Sequence, residues 1–144
     1  MYGQILTVHR PMNKRLPNEP ITNIETESTV QDNTRKHFLL ELYGCPEKII
    51  DDVDHIRQCL TEAADRAGAV VLEVVSHSFE PHGVTAIALL AESHLSIHCW
   101  PESGYVAIDL FTCSPSGDSQ SACEYLVTAL QAESHELRVI ERGK

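Results

Sequence analysis

Between residues 70 and 112 the chain carries four apolar runs, 70–75, 84–90, 95–100 and 105–112, rich in β-branched residues and parted by short stretches of turn-forming residues. Runs of this length and composition read as strands. Connections as short as EPHG at 80–83 and PESG at 101–104 join antiparallel neighbours, because a parallel crossover needs about a dozen residues or more. The centre of the chain is therefore a series of hairpins, and the remaining elements have to be fitted to it.

Upstream, HFLLELY at 37–43 reads as another strand, stopped by Gly44. The stretch 46–67 places Ile49, Ile50, Val53, Ile56, Leu60, Ala63, Ala64 and Ala67 on one helical face. Pro46 suits a first helical turn, the acids Glu47, Asp51, Asp52 and Asp54 suit its positive end, and Gly68 suits the left-handed position after its last turn. Downstream, Ala122, Tyr125, Leu126, Ala129 and Leu130 predict a second helix over 122–132, and 137–140 predicts a last strand. The order β-α-β-β-β-β-α-β gives an α/β fold: a two-layer sandwich of a largely antiparallel sheet with two helices on one face.

A length of 144 residues, 42% of them hydrophobic and 22% charged, suits a single globular domain. That domain is expected over 35–144. Residues 1–34, with Pro11, Pro17 and Pro20 and no sustained period, read as a flexible N-terminal arm. Acids outnumber bases 21 to 11, so no basic stripe is available to neutralise phosphates, which argues against a nucleic acid or an anionic membrane as partner. Neither a spanning apolar run nor a signal-peptide core is present, so a cytoplasmic location is expected. The five cysteines form no CxxC pair and are odd in number, as suits reduced thiols. His94 and His98 have a helical ligand spacing but lie in a run that reads as extended, so no metal site is expected. The tetrapeptide AESH occurs at 91–94 and again at 132–135, in flanks that differ completely, and is read as coincidence.

The richest segment is ESHLSIHCWPE at 92–102, with two serines, two histidines, a cysteine, a tryptophan and two acids between apolar strands. A partly solvated strand would explain its polarity from spacing alone. A serine hydrolase would explain Ser93 and His98, but no G-x-S-x-G elbow surrounds either serine.

This segment, followed by GYVAIDLFTC at 104–113, resembles the prokaryotic S-adenosylmethionine decarboxylase proenzyme family. HFLLELYG at 37–44 and HSFEPHGV at 77–84 resemble further segments of that family in the same order, so the likeness covers about residues 36–142. The resemblance implies a zymogen that cuts itself between Glu92 and Ser93 into a β chain of 1–92 and an α chain of 93–144. Attack of the Ser93 hydroxyl on the Glu92 carbonyl, followed by β-elimination and hydrolysis, would leave a covalent pyruvoyl group derived from Ser93 as the only cofactor. Such a group supplies the electron sink that ordinary side chains lack, through a Schiff base with the substrate amine. By the same resemblance His98 is the processing base, Thr85 stands where a serine commonly supports processing, and Cys113 is the proton donor to the decarboxylated carbon. An imidazole titrates near neutrality and a thiol is largely protonated there, which suits those roles.

In an unbroken strand positions 93 and 98 point to opposite faces, so the chain is expected to turn or bulge near Ser93. The resemblance further puts Phe79 and Trp100 beside the adenine and Glu102 on the ribose hydroxyls of S-adenosylmethionine, whose decarboxylated product feeds spermidine biosynthesis. Two αβ protomers would pair as a dimer, each pocket drawing residues from both. The alternatives are a pyruvoyl-dependent arginine or ornithine decarboxylase of the same family and a non-processing, nucleoside-binding relative. Against the family pattern, His82 replaces a frequent tyrosine, Cys99 a frequent threonine, and the loop 114–120 lacks a proline-tryptophan pair.

Overall fold

The computed structural model describes residues 35–91, 93–113 and 117–143. The chain divides into two units, Met1–Gln31 and Asp32–Lys144. The first, with the arm expected at 1–34, lies outside the described residues.

Six strands, β1 (Arg35–Tyr43), β2 (Val71–Ser78), β3 (Val84–Leu90), β4 (Ser93–Trp100), β5 (Tyr105–Thr112) and β6 (Ser134–Arg142), form one sheet in the order β2-β3-β4-β5-β1-β6. Every neighbouring pair is antiparallel. The hairpins β2–β3, β3–β4 and β4–β5 follow directly from the short turns between the central runs. β1 then inserts between β5 and β6, so both chain ends of the domain lie on one side of the sheet.

The helices are α1 (Glu47–Ile50), α2 (Val53–Arg66) and α3 (Ser119–Ala129). The single helix expected over 46–67 is broken in two at Asp51 and Asp52. The Asp52 carboxylate accepts the backbone N–H groups of Asp54 and His55 at 3.1 and 3.0 Å, capping α2, while the Asp51 carboxylate accepts the N–H of Gly83 at 2.8 Å and ties the break to the β2–β3 turn. A capping side chain satisfies donors that a continuous helix would bond internally, so the local hydrogen bonds select two helices. Gly68 takes the left-handed conformation the sequence predicts, with φ 68°. α3 starts three residues earlier than its apolar period suggests because Asp118 caps it through the N–H of Ser121.

Strand parity divides the sheet into two faces. Phe38, Leu40, Leu42, Val84, Ala86, Ala88, Leu90, Leu95, Ile97, Cys99, Val106, Ile108 and Leu110 are buried against Ile56, Leu60, Ala63, Ala122 and Leu126 of the helices. The opposite face alternates with them, carrying Thr85, Ile87, Leu89, His94, Ser96, His98, Trp100, Tyr105, Asp109 and Phe111, all partly or fully exposed. Among the described residues no helix covers this face, and none is long and apolar enough to cross a membrane. Replacing Asp52 with Ala should lower the unfolding free energy by about 1 kcal/mol in urea titrations of the whole chain, the usual cost of losing an N-cap. An unchanged midpoint would mean the break is not held by this cap.

Candidate active site

The open face of the sheet carries His94, Ser96, His98 and Trp100 of the central motif, Ser93 is in step with the helix side, and the strand spreads these residues between its two ends. At the first end Ser93 opens the strand opposite Leu90, directly after the turn at Ala91. Its hydroxyl oxygen is buried and has no hydrogen-bond partner. A buried hydroxyl left unpaired costs about 1–3 kcal/mol. His94 pairs with Phe111, which puts Cys113, half-buried just past β5, at the same end of the sheet. His37, Phe111 and His94 form a row across β1, β5 and β4, with ring centroids 5.6 Å apart for His37 and Phe111 and 6.1 Å for His94 and Phe111. His37 Nε2 lies 3.2 Å from Asp109 Oδ1.

At the second end Thr85 of β3 faces His98 of β4, and Thr85 Oγ1 lies 3.0 Å from His98 Nδ1. In the tautomer in which Nδ1–H donates to that hydroxyl, Nε2 carries the lone pair of a base. Two residues on, Trp100 is 41% exposed and its ring lies 6.2 Å from that of His98. Phe79, 49% exposed, opens the turn after β2, where its N–H donates to the carbonyl of Gly83 at 2.8 Å. Gly83 has φ 112°, a conformation that side-chain-bearing residues rarely adopt, so a glycine suits this turn. Glu102 lies in the 3-10 turn Pro101–Ser103, closed by Gly104 at φ 64°, and its Oε2 is 3.3 Å from His82 Nε2.

Thus Phe79, Thr85, His98, Trp100 and Glu102 gather at one end, and Ser93 with Cys113 at the other. The turn expected near Ser93 is present, but it does not bring Ser93 to His98. Five residues of extended chain separate the two by about 17 Å. They also differ in parity: Ser93 is in step with Leu95 and Ile97 on the helix side, His98 with Trp100 on the open side. Glu92 lies outside the described residues, as do residues 114–116 of the loop after β5. Sequence reasoning did not single out His37, Glu41, Asp109 or Tyr105, whose contacts cross from β1 to β5. Their joining needs the β1–β5 register, which no local pattern supplies. Among the described residues no group of three or more His, Cys, Asp or Glu side chains is arranged to hold a metal ion.

An antiparallel sheet backed by helices on one face, with hydroxyl, imidazole, thiol and aromatic groups on and beside its open face, is an α/β scaffold of the two-layer class. The sequence profile of the S-adenosylmethionine decarboxylase family matches residues 36–143. The chain is 52% identical over 107 residues to the S-adenosylmethionine decarboxylase proenzyme of Parasynechococcus marenigrum (strain WH8102), covering 74% of this chain and 84% of the relative. It is 40% identical over 112 residues to that of Clostridium tetani (strain Massachusetts / E88), covering 78% and 89%. The crystal structure of the adenosylmethionine decarboxylase from Aquifex aeolicus VF5 superposes with a TM-score of 0.72 at 36% identity, over 78% of this chain and 92% of that one. The chain belongs to the S-adenosylmethionine decarboxylase family.

The cysteines separate by environment. Burial pushes the Cys99 thiol up to about 12, and the Cys45 and Cys123 thiols each up to about 11. Burial also raises Cys59. From an ordinary value of 9.0, such thiols hold their protons in the folded chain while the unfolded chain releases them, so they favour the native state fully below pH 9 and progressively less above it. They are correspondingly poor nucleophiles. Brief iodoacetamide treatment of the native protein at pH 8 should label Cys113 and leave Cys45, Cys59, Cys99 and Cys123 unmodified in peptide mass spectra. Labelling of Cys99 at a similar rate would contradict its placement in the core.

Proposed function

We propose that the chain is a self-processing S-adenosylmethionine decarboxylase, cleaving between Glu92 and Ser93 and working as a dimer whose two sites each draw on both copies. The observation that carries this reading is the buried, unpartnered Ser93 hydroxyl at the bond where the family's proenzymes would be cut. An oxygen with no competing hydrogen bond keeps its lone pairs for attack on the preceding carbonyl, which would turn the amide into an ester. The pyruvoyl group that would result from Ser93 offers a carbonyl in conjugation with an amide, a sink for the electron pair left when a carboxylate departs as carbon dioxide.

The remaining residues then have distinct tasks. His98, its ring held through Nδ1 by Thr85, takes a proton at Nε2 during processing. Cys113 holds the proton that the decarboxylated carbon needs. Phe79 and Trp100 offer flat faces to the adenine and the sulfonium, contacts worth about 0.5–2 kcal/mol each. Glu102, oriented by His82, accepts from the ribose hydroxyls.

The separation of Ser93 from His98 supports a shared site. In a two-fold pair the same surface meets itself, so the His98 end of one open face would lie over the end of the other at which β4 begins, next to the bond that precedes Ser93. Ile87 and Leu89, exposed on that face, would be covered by the pairing. Five cysteines that form no disulfide suit a reducing compartment, and we assign the reaction to the cytoplasm.

Mass spectrometry of the purified protein should show fragments 1–92 and 93–144, and S-adenosylmethionine should release carbon dioxide where arginine and ornithine do not. An intact chain after long incubation, or gas from either amino acid alone, would overturn the assignment. The shared site has its own test. Ser93→Ala or His98→Ala alone should slow cleavage by at least about 100-fold. Coexpression of the two variants should restore cleavage of the His98→Ala chain, because one site of each mixed dimer then holds a native Ser93 and a native His98. No restoration would mean that each site is built from one chain.

A further inference from the structure

A tryptophan has two ring faces, and one face of Trp100 is already taken. Tyr105, its register partner across the β4–β5 hairpin, stacks on it with centroids 5.1 Å apart and planes 22° apart. On the far side of Tyr105 stands Tyr43 of β1, stacked at 5.6 Å and 24°. The three rings form a row across β1, β5 and β4 on the open face. The row is fixed at its centre: the Tyr105 hydroxyl donates to Glu41 Oε2, also on the open face of β1. That bond, with burial second, pushes the Tyr105 phenol up to about 12, so it stays a donor throughout the working range.

We propose that Tyr105, locked by Glu41 and backed by Tyr43, is the positioning residue that sets the plane of Trp100 and thereby the orientation in which the substrate's nucleoside stacks. This rests on the reading of the Trp100 end as the nucleoside site. The physical reason is pre-organisation. A half-exposed indole free to change rotamer must be ordered when a ligand stacks on it, and ordering one such side chain weakens binding by about two- to tenfold. Tyr105 orders it beforehand. No chemistry passes through Tyr105, so its effect should fall on KM and leave kcat alone.

The chain has one tryptophan, so its emission reports on Trp100 and nothing else. The processed enzyme is titrated with 5′-methylthioadenosine, which carries the nucleoside and thioether but neither the amine nor the carboxylate, so binding is read apart from the reaction. The native enzyme should show a saturable change in emission. Tyr105→Phe, which keeps the stack and loses the anchor, should weaken binding about two- to threefold, and Tyr105→Leu about tenfold. Glu41→Gln, still offering an amide oxygen to the hydroxyl, should bind within about twofold of native. In decarboxylation of S-adenosylmethionine both Tyr105 variants should raise KM by the same factors, with kcat within about twofold.

If native enzyme binds the probe and the Tyr105 variants bind it equally well, the positioning role is wrong while the nucleoside site stands. Losses confined to kcat would overturn it in the same way. If native enzyme gives no response at all, the nucleoside reading fails and takes this inference with it. Should Tyr105→Leu fail to fold, Tyr105→Phe decides the matter by itself.

Discussion

One pleated strand governs the chemistry available to this protein. Along Ser93–Trp100 side chains alternate strictly between the helix-backed core and the open face, and hydrogen bonds to β3 and β5 on both sides fix the register at every position from 94 to 99. Nothing in such a strand can slide or rotate to bring residue 98 back to residue 93. The hydroxyl and the imidazole of one chain therefore stand about 17 Å apart, at opposite ends of the strand. In the shared site proposed above the pair comes from two chains, and a two-fold axis parallel to the open faces and perpendicular to β4 is the simplest operation that lays one end of the strand over the opposite end of its copy.

The same constraint explains why the helix side is so uniformly apolar. α2 and α3 bury small and branched side chains against alternate residues of β1, β3, β4 and β5, and the cysteines in that layer are held protonated by burial. With one face committed to packing, the polar residues of the central strands have only the other face or the strand ends. Ser93 sits at such an end, where the chain leaves the turn at Ala91 and where a hydroxyl can be enclosed without being paired. The aromatic row Tyr43–Tyr105–Trp100 and the pair Thr85–His98 occupy the opposite end, braced by contacts across three or more strands. Rigid backing of this kind places groups more accurately than loops do.

Much of this architecture was legible in the residues. Alternating apolar runs with short Gly- and Pro-containing turns are sufficient to specify hairpins, and the order of strands and helices follows. The split between α1 and α2 was not legible, because the apolar face continues through Asp51 and Asp52; the Asp52 cap and the contact of Asp51 with Gly83, 32 residues away, together mark where the helix breaks. The site divides along the same line. Residues close in sequence, such as Ser93, His98, Trp100 and Glu102, announce themselves as one motif, yet the period of a strand separates them in space. Residues remote in sequence, such as Glu41 with Tyr105 and His37 with Asp109, carry no local signal and are joined only by the β1–β5 register.

The central claim is that Ser93 becomes a carbonyl at the head of the smaller fragment. Borohydride reduction during turnover of S-adenosylmethionine labelled in its aminopropyl carbons tests it most directly, since reduction would fix the substrate's amine to whatever carbonyl it engages. The account predicts that label is recovered on the first residue of the fragment 93–144. Label on Lys144 or on the fragment 1–92, or no label in enzyme that is releasing carbon dioxide, would contradict it.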